Sequence, residues 1–321
     1  QAAPGHGPPL CGGAGRGGDV RFRWPVRRLF LLFFFALSAG GPFRTGATER
    51  GTTLVVATYN VCNLFDTIND PGIADEVPTP EAWRRKTERL GGTIGAMAPD
   101  VIALCEVENA GVLDALLGSP GLAGEGYRHI HYDSPDRRGI DVALLYRADR
   151  MRLTGAEPIR MATDYPTRDV LRAEFSVEGA TRPLVVYAVH LPSRRGGYHR
   201  ATRAREEMAA RLDAHAAADS AAATVVLLGD FNENPSSRLV RRRLEGGRPL
   251  AAGAHGRGEG SYAWHDVWLM FDQIFVGRGT VAEEARVFLR QGMLTRTGRF
   301  EGYPDRELSD HLPVYTRILL R

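Results

Sequence analysis

Three stretches of this chain, "TLVVATYNV" at 53–61, "VIALCEVEN" at 101–109 and "ATVVLLGD" at 223–230, are nearly unbroken runs of apolar and β-branched residues. A strand with one wet face alternates apolar with polar positions, so runs of this kind belong to strands covered on both faces. The chain is thereby confined to sheets that lie between other layers. Each run also stops at an oxygen-bearing side chain: Asn60 and Glu106 close the first two, and Asp230 closes the third.

Between the first two runs, Thr79 and Pro80 stand where an N-cap and a first helical residue belong, and Trp83, Leu90, Ile94 and Met97 recur at helical spacing. A helix over 80–97 with one buried stripe follows. A strand, helix, strand unit crosses over right-handed and makes its two strands parallel. A short helix near 110–117 comes next. "YRHIHYDS" and "GIDVALLYR" around "PDRRG", and "DVLRAEFSV" and "PLVVYAVHL" around "EGATR", read as antiparallel pairs. Residues 198–217 favour a helix, and "ATVVLLGD", "VWLMFDQIFVG" and "HLPVYTRIL" supply the last strands. Mixed strands with few long helices predict an α/β fold of two packed mixed β-sheets flanked by helices, in one domain over 51–321.

Residues 1–50 stand apart. Arg21, Arg23, Arg27 and Arg28 precede "LFLLFFFALSAGG" at 29–41, the charged, apolar and small-residue order of a secretory signal near residues 20–42. Its apolar stretch is shorter than the roughly 20 residues that span a bilayer. The expectation is an exported, periplasmic or extracellular protein. Seven Arg against Asp19 and Glu49 in this segment leave 34 basic and 36 acidic groups in 51–321, a balance of −2. A polyanion would have to be attracted by a local cluster of cations, not by the field of the whole protein. Lys86 is the only lysine, a skew that reads as compositional bias. Cys62 and Cys105 are too few for a disulfide framework and read as reduced thiols.

The strand-end residues carry the chemistry. Asn60, Glu106 and Asp230 can converge at one rim of the sheets, where ligand sites of α/β folds open, and Asn232 can face the same way as Asp230. Such a rim of hard oxygen donors suits Mg²⁺, with Mn²⁺ or Ca²⁺ as alternatives, better than zinc. "GDFNENPSS" also reads as a turn running into a helix N-cap at Ser236 or Ser237. Asp272 lies in an otherwise apolar strand, where an unpaired carboxylate costs several kcal/mol, so a cationic histidine is its natural partner. His190, closing one strand, and His311, opening the last beside Asp310, are the candidates, and together these groups read as acid/base machinery. Arg138 and Arg194, in loops beside the strand ends, are candidate phosphate forks. Arg137, Arg168 and Arg195 are weaker ones, and Asp141 has little reason to belong to the site.

"ATYNVCNLFD", "VIALCEVEN", "YAVHLPSRRGG", "LLGDFNENPSS", "FDQIFVG" and "LSDHLPVY" occur in the order found in the endonuclease/exonuclease/phosphatase family, the deoxyribonuclease-I-like phosphoesterases. The chain resembles this family over about 54–319, and "HYDSPDRRGIDVALLYR" and "PTRD" look like its bacterial exported branch. The resemblance implies a four-layer α/β sandwich with the site at one edge of the paired sheets. It implies Glu106 as the principal metal carboxylate, Asn60 as the amide that orients it or contacts phosphate, and Asp310 as a further metal-side carboxylate. Asp230 and Asn232 would position the attacking water and the phosphoryl oxygens. Asp272 and His311 would form a dyad, and His190 would donate a proton towards the leaving oxygen. Whether Asp230 or His311 takes the water's proton stays open.

The function so implied is a Mg²⁺-dependent phosphodiester hydrolase, foremost an endonuclease acting on nucleic acid by in-line attack of water. Two alternatives keep the chemistry: a phospholipid phosphodiesterase of the sphingomyelinase kind and a small-phosphoester phosphatase. A binding protein that has lost catalysis is the remote one, since the metal carboxylate and the terminal histidine are both present. No obligate protein partner is evident. Nor does the sequence display the exposed aromatic hairpin of a membrane-docking lipase.

Overall fold

The apolar runs are strands, and both of their faces are covered. The computed structural model describes residues 51–321 except 162, 164–166, 195–197, 245 and 298–299, so the signal-like segment and Arg195 lie outside the described residues. The chain begins β1 (Thr52–Leu64), α1 (Pro80–Met97), β2 (Val101–Val107), α2 (Ala110–Leu117), β3 (Tyr127–His131) and β4 (Asp141–Arg147). It continues β5 (Met151–Ile159), β6 (Val170–Val177), β7 (Leu184–His190), α3 (Tyr198–Ser220), β8 (Thr224–Asp230) and α4 (Arg238–Arg243). Then come β9 (Gly247–Pro249), α5 (Ala252–Gly256), β10 (Tyr262–Trp264), β11 (Val267–Leu269) and β12 (Asp272–Gly277). It closes with β13 (Val281–Ala282), β14 (Arg286–Val287), β15 (Leu294–Thr297), β16 (Phe300–Pro304) and β17 (Val314–Leu320).

The expected helix forms at 80–97: Pro80 opens α1, the Thr79 hydroxyl accepts the Ala82 N–H, and Leu90, Ile94 and Met97 are buried. The crossover makes β1 and β2 parallel, as β7 and β8 are. The expected antiparallel pairs β3–β4 and β6–β7 form as well. One large sheet runs β13-β17-β1-β2-β4-β3, with β14 also on β17, and the other runs β5-β6-β7-β8-β12-β9.

Alternation along the strands builds three cores. β1 sends Leu54 and Val56 between the sheets, where they meet Phe175, Val186, Leu228 and Ile274. It sends Ala57, Tyr59 and Val61 the other way, against Leu90, Ile94 and Leu113 of α1 and α2. On the far side, Tyr187, Leu227 and Phe275 pack on Met208 and Leu212 of α3 and on Leu239 and Val240 of α4. Helices, sheet, sheet, helices is the predicted four-layer α/β sandwich. Each buried large apolar side chain contributes about 1.5–3 kcal/mol, so Phe175→Ala, in the middle layer, should cost about 3–5 kcal/mol.

Two expectations about strands fail for identifiable reasons. "VWLMFDQIFVG" is not one strand: β11 folds back on β10, and β12 starts only at Asp272. The Ser261 hydroxyl accepts the N–H groups of both Phe271 and Asp272, which diverts those two donors from strand pairing at the break. His311 does not open the last strand, which begins at Val314 after Pro313, a residue with no N–H to give. It makes instead an isolated bridge to Tyr262.

Candidate active site

The rim at the C-terminal ends of β1, β2, β7 and β8 is built by deliberate irregularities of backbone. Strand registers shift between Asn60 and Leu64 and between Cys105 and Val107, which marks bulges in β1 and β2. Cys62, Asn63, Glu106 and Asn232 all carry left-handed φ, at 53°, 55°, 67° and 51°. A bulge re-aims a side chain, and here it turns Glu106 out of the pleat and onto the rim. Left-handed non-glycine residues are costly and persist where their surroundings hold them. Lys86 does some of that holding: its ammonium reaches from α1 to the carbonyls of Cys62 and Asn63. Gly229 is required for a different reason, because a Cβ there would lie 1.8 Å from the Val189 carbonyl oxygen. That close approach sets His190 and Asp230 side by side in the parallel register.

The predicted residues converge. Asn60 Nδ2 donates to Asp230 Oδ2 at 3.1 Å and to Glu106 Oε1 at 3.3 Å. Its Oδ1 accepts the Cys62 N–H, so the amide bridges two carboxylates with its donor side. Asn63 N–H fixes Glu106 Oε2 at 3.0 Å. Asn232 N–H donates to Asp230 Oδ1 and its side chain to the Leu191 carbonyl. His190 Nε2 stands 3.6 Å from Asp230 Oδ2 and 4.0 Å from Glu106 Oε1. His311 Nδ1 lies 2.6 Å from Asp272 Oδ2, while its Nε2 faces Asp230 at 3.9 Å and Asp310 at 4.0 Å. Glu106 and Asp230 thus share the Asn60 amide, and Asp230 faces His311, so the three border one space.

Charge is set by these contacts. Burial pulls the His311 imidazole down, but Asp272, Asp230 and Asp310 outweigh it and carry its pKa up to about 10. Burial raises Asp230 to about 6, partly offset by His311. His190 goes well below the usual histidine range through burial and the nearby cations Arg168, Arg138 and His311, since no carboxylate lies within hydrogen-bond reach. Burial would raise Asp310, yet His311 and Arg306 hold it below the usual carboxylate range.

Arg138 reaches the rim, 3.9 Å from Glu106 and 3.4 Å from Asn63 Oδ1. Arg194 bonds the Asn232 carbonyl and Glu233 and lies over Phe271 at 5.1 Å. Asp141 is at the neighbouring strand end, but both of its oxygens are engaged, by His131 and Ser134.

Several residues support the site from behind, and of these the sequence reading singles out only Arg168, as a weaker phosphate fork. Buried Arg168 ties Asp136 to the Leu191 carbonyl and so fastens the loop that carries Arg138. Buried Arg205 pairs with Glu233, and the Ser309 hydroxyl joins the Asn60 carbonyl to the His311 N–H. Glu233 had a signal in the oxygen-rich stretch after Asp230, Arg205 and Ser309 had none, and Arg168 is buried on Asp136 and the Leu191 carbonyl instead of standing free as a phosphate fork.

An all-oxygen carboxylate cluster beside a charged His–Asp pair is the apparatus of a phosphate-ester hydrolase, with donors that fit a hard divalent cation. Glu106 and Asp310 are the carboxylates among them that keep partial exposure, at 14% and 22% of their side chains. The sequence matches the profile of the endonuclease/exonuclease/phosphatase family over residues 55–319, and the chain belongs to that family, whose members are phosphoesterases.

Solved structures agree on the fold. A family protein from Bacteroides thetaiotaomicron aligns with TM-score 0.61 at 16% identity, covering 85% of this chain and 96% of that one. D. rerio TDP2 complexed with a single-strand DNA product aligns with TM-score 0.60 at 17% identity, covering 83% and 99%. A mannosyl-6-phosphatase from Bacteroides thetaiotaomicron aligns with TM-score 0.58 at 16% identity, also covering 83% and 99%. No curated protein sequence gives a match.

Proposed function

We propose that this protein is an exported, Mg²⁺-dependent phosphodiesterase that cleaves nucleic acid by in-line attack of water. The observation that carries the reading is the His311–Asp272 pair at 2.6 Å, facing Asp230 across the same space that Glu106 borders. A phosphodiester is anionic and repels hydroxide, so its hydrolysis needs positive charge on the phosphoryl oxygens, a base for the water and a donor for the leaving oxygen. Glu106 and Asp310 would hold a divalent ion, Mg²⁺ or alternatively Mn²⁺ or Ca²⁺, which would supply part of that positive charge.

The chain's own residues supply the rest. His311, raised to about 10, is an imidazolium at neutral pH and stabilises a phosphoryl oxygen. Asp230, at about 6, is ionised at neutral pH yet basic enough to take the water's proton, with Asn232 N–H and Asn60 fixing its orientation. Neutral His190 offers a ring N–H to the leaving oxygen. Arg138 and Arg194 border the space a substrate phosphate fills.

Nucleic acid as substrate is supported by the TDP2 neighbour, whose structure holds a DNA product. A small phosphate ester is the second reading, favoured by the −2 balance of 51–321 and by the mannosyl-6-phosphatase neighbour. Phospholipid is a third substrate class for the same chemistry. Plasmid nicking with and without EDTA tests the leading reading: nicking should stop on chelation and fall about 10²-fold or more in His311→Ala. Activity indifferent to EDTA, or intact in that variant, sinks the mechanism. Export rests on the segment at 20–42 and is checked by fractionating cells that express the full chain.

A further inference from the structure

The β10–β11 hairpin is a feature the sequence does not display. Tyr262 pairs with Leu269 and Trp264 with Val267, so these four side chains share one face, while Ala263 and Trp268 take the other. That face starts inside the active site. The Tyr262 ring lies 4.8 Å from the His311 ring and is stacked on Phe271 at 5.4 Å and 15°, and Tyr262 also bridges to His311 through the backbone. Trp264, two residues further out, is displaced by about 7 Å along the strand. It is 48% exposed, and Val267 across from it is 55% exposed. Arg194 continues the ledge inward, its guanidinium over the Phe271 ring.

The hairpin is held in place. Its tip is the left-handed pair His265 and Asp266, and Tyr303 latches Asp266 by accepting its N–H and donating to its carboxylate at 2.6 Å. The tip is thus polar and acidic, whereas a hairpin that inserts into a bilayer needs apolar residues at its end. The apolar groups lie along the flank, where a flat ring can cover them.

We infer that Tyr262 and Trp264 form a stacking subsite for the nucleobase that flanks the scissile phosphate, a reading that rests on the phosphodiesterase assignment above and narrows its substrate class. Any base offers a π-face, so such a ledge binds with little sequence preference.

The test compares two chromogenic diesters with the same leaving group, thymidine 5′-(p-nitrophenyl phosphate) and methyl p-nitrophenyl phosphate. The wild-type protein should prefer the nucleoside ester, and Trp264→Ala should cut the ratio of the two kcat/KM values about tenfold or more, with Trp264→Phe restoring most of it. Tyr262→Ala combined with Trp264→Ala should cut it further. A ratio unmoved by these variants overturns the subsite. So does a wild type that sediments with phosphatidylcholine vesicles and loses this in Trp264→Ala while the ester ratio holds, for then the ledge docks lipid. Should neither ester turn over, the underlying assignment fails and the ledge is read separately: oligothymidylate in EDTA should quench the indole fluorescence of wild type and do so far less in Trp264→Ala. Equal quenching in both refutes the stacking.

Discussion

His190 and His311 close opposite sides of one rim, and both are almost wholly buried, at 2% and 6% exposure. Their charges nonetheless diverge. His311 has a carboxylate at 2.6 Å and is pushed up to about 10; His190 has its closest at 3.6 Å, lies near Arg168 and Arg138, and is pushed down. Burial alone treats the two alike, so the partner decides. One fold thereby sets a cationic and a neutral imidazole at neutral pH on either side of Asp230.

The comparison breaks most visibly at the dyad. Asp272→Asn keeps the shape and removes the charge that holds His311 protonated, so kcat should fall about 10²-fold or more, alongside His311→Ala, while His190→Gln, which keeps a side-chain N–H donor, should lose less. Equal losses in His190 and His311 variants, measured in steady-state assays with saturating metal, would dissolve the distinction.

Lys86 extends the contrast to a cation held by carbonyls. Its compact ammonium fits two convergent oxygens, and a planar guanidinium does not. Lys86→Met and Lys86→Arg should both weaken Mg²⁺ or Mn²⁺ binding about tenfold, read as the midpoint of a thermal-shift titration. A normal midpoint in Lys86→Arg would show that any cation suffices.

The smallest effect is on stability without metal. A histidine raised in the native state binds its proton more tightly there than in the unfolded chain, so its contribution is complete below pH 6.5 and is lost as pH climbs towards about 10. The gap in Tm between wild type and His311→Gln in EDTA should shrink across that window. A constant gap would mean that His311 does not titrate there.

The layered fold was legible because burial on both faces leaves a continuous apolar run, and much of the site because Asn60, Glu106, His190 and Asp230 lie where such runs end and Asp272 interrupts one. What stayed hidden depends on long-range pairing. The break in "VWLMFDQIFVG" is imposed by the Ser261 hydroxyl, ten residues upstream of Phe271, and no local pattern shows it. β5, with Pro158 and half its residues outward at the sheet edge, lacks the signature of a covered strand. Lys86 bonds two backbone carbonyls remote in sequence and Arg168 bonds one besides Asp136, and carbonyls leave no mark on composition.

The chain's one lysine thus lies under the β1 bulge, whose Asn63 N–H fixes Glu106. Apart from the amino terminus, an acylating reagent has a single nitrogen to find, and that nitrogen is occupied for as long as the rim is intact. Mass gain at Lys86 is therefore a built-in reporter of when this corner of the protein opens.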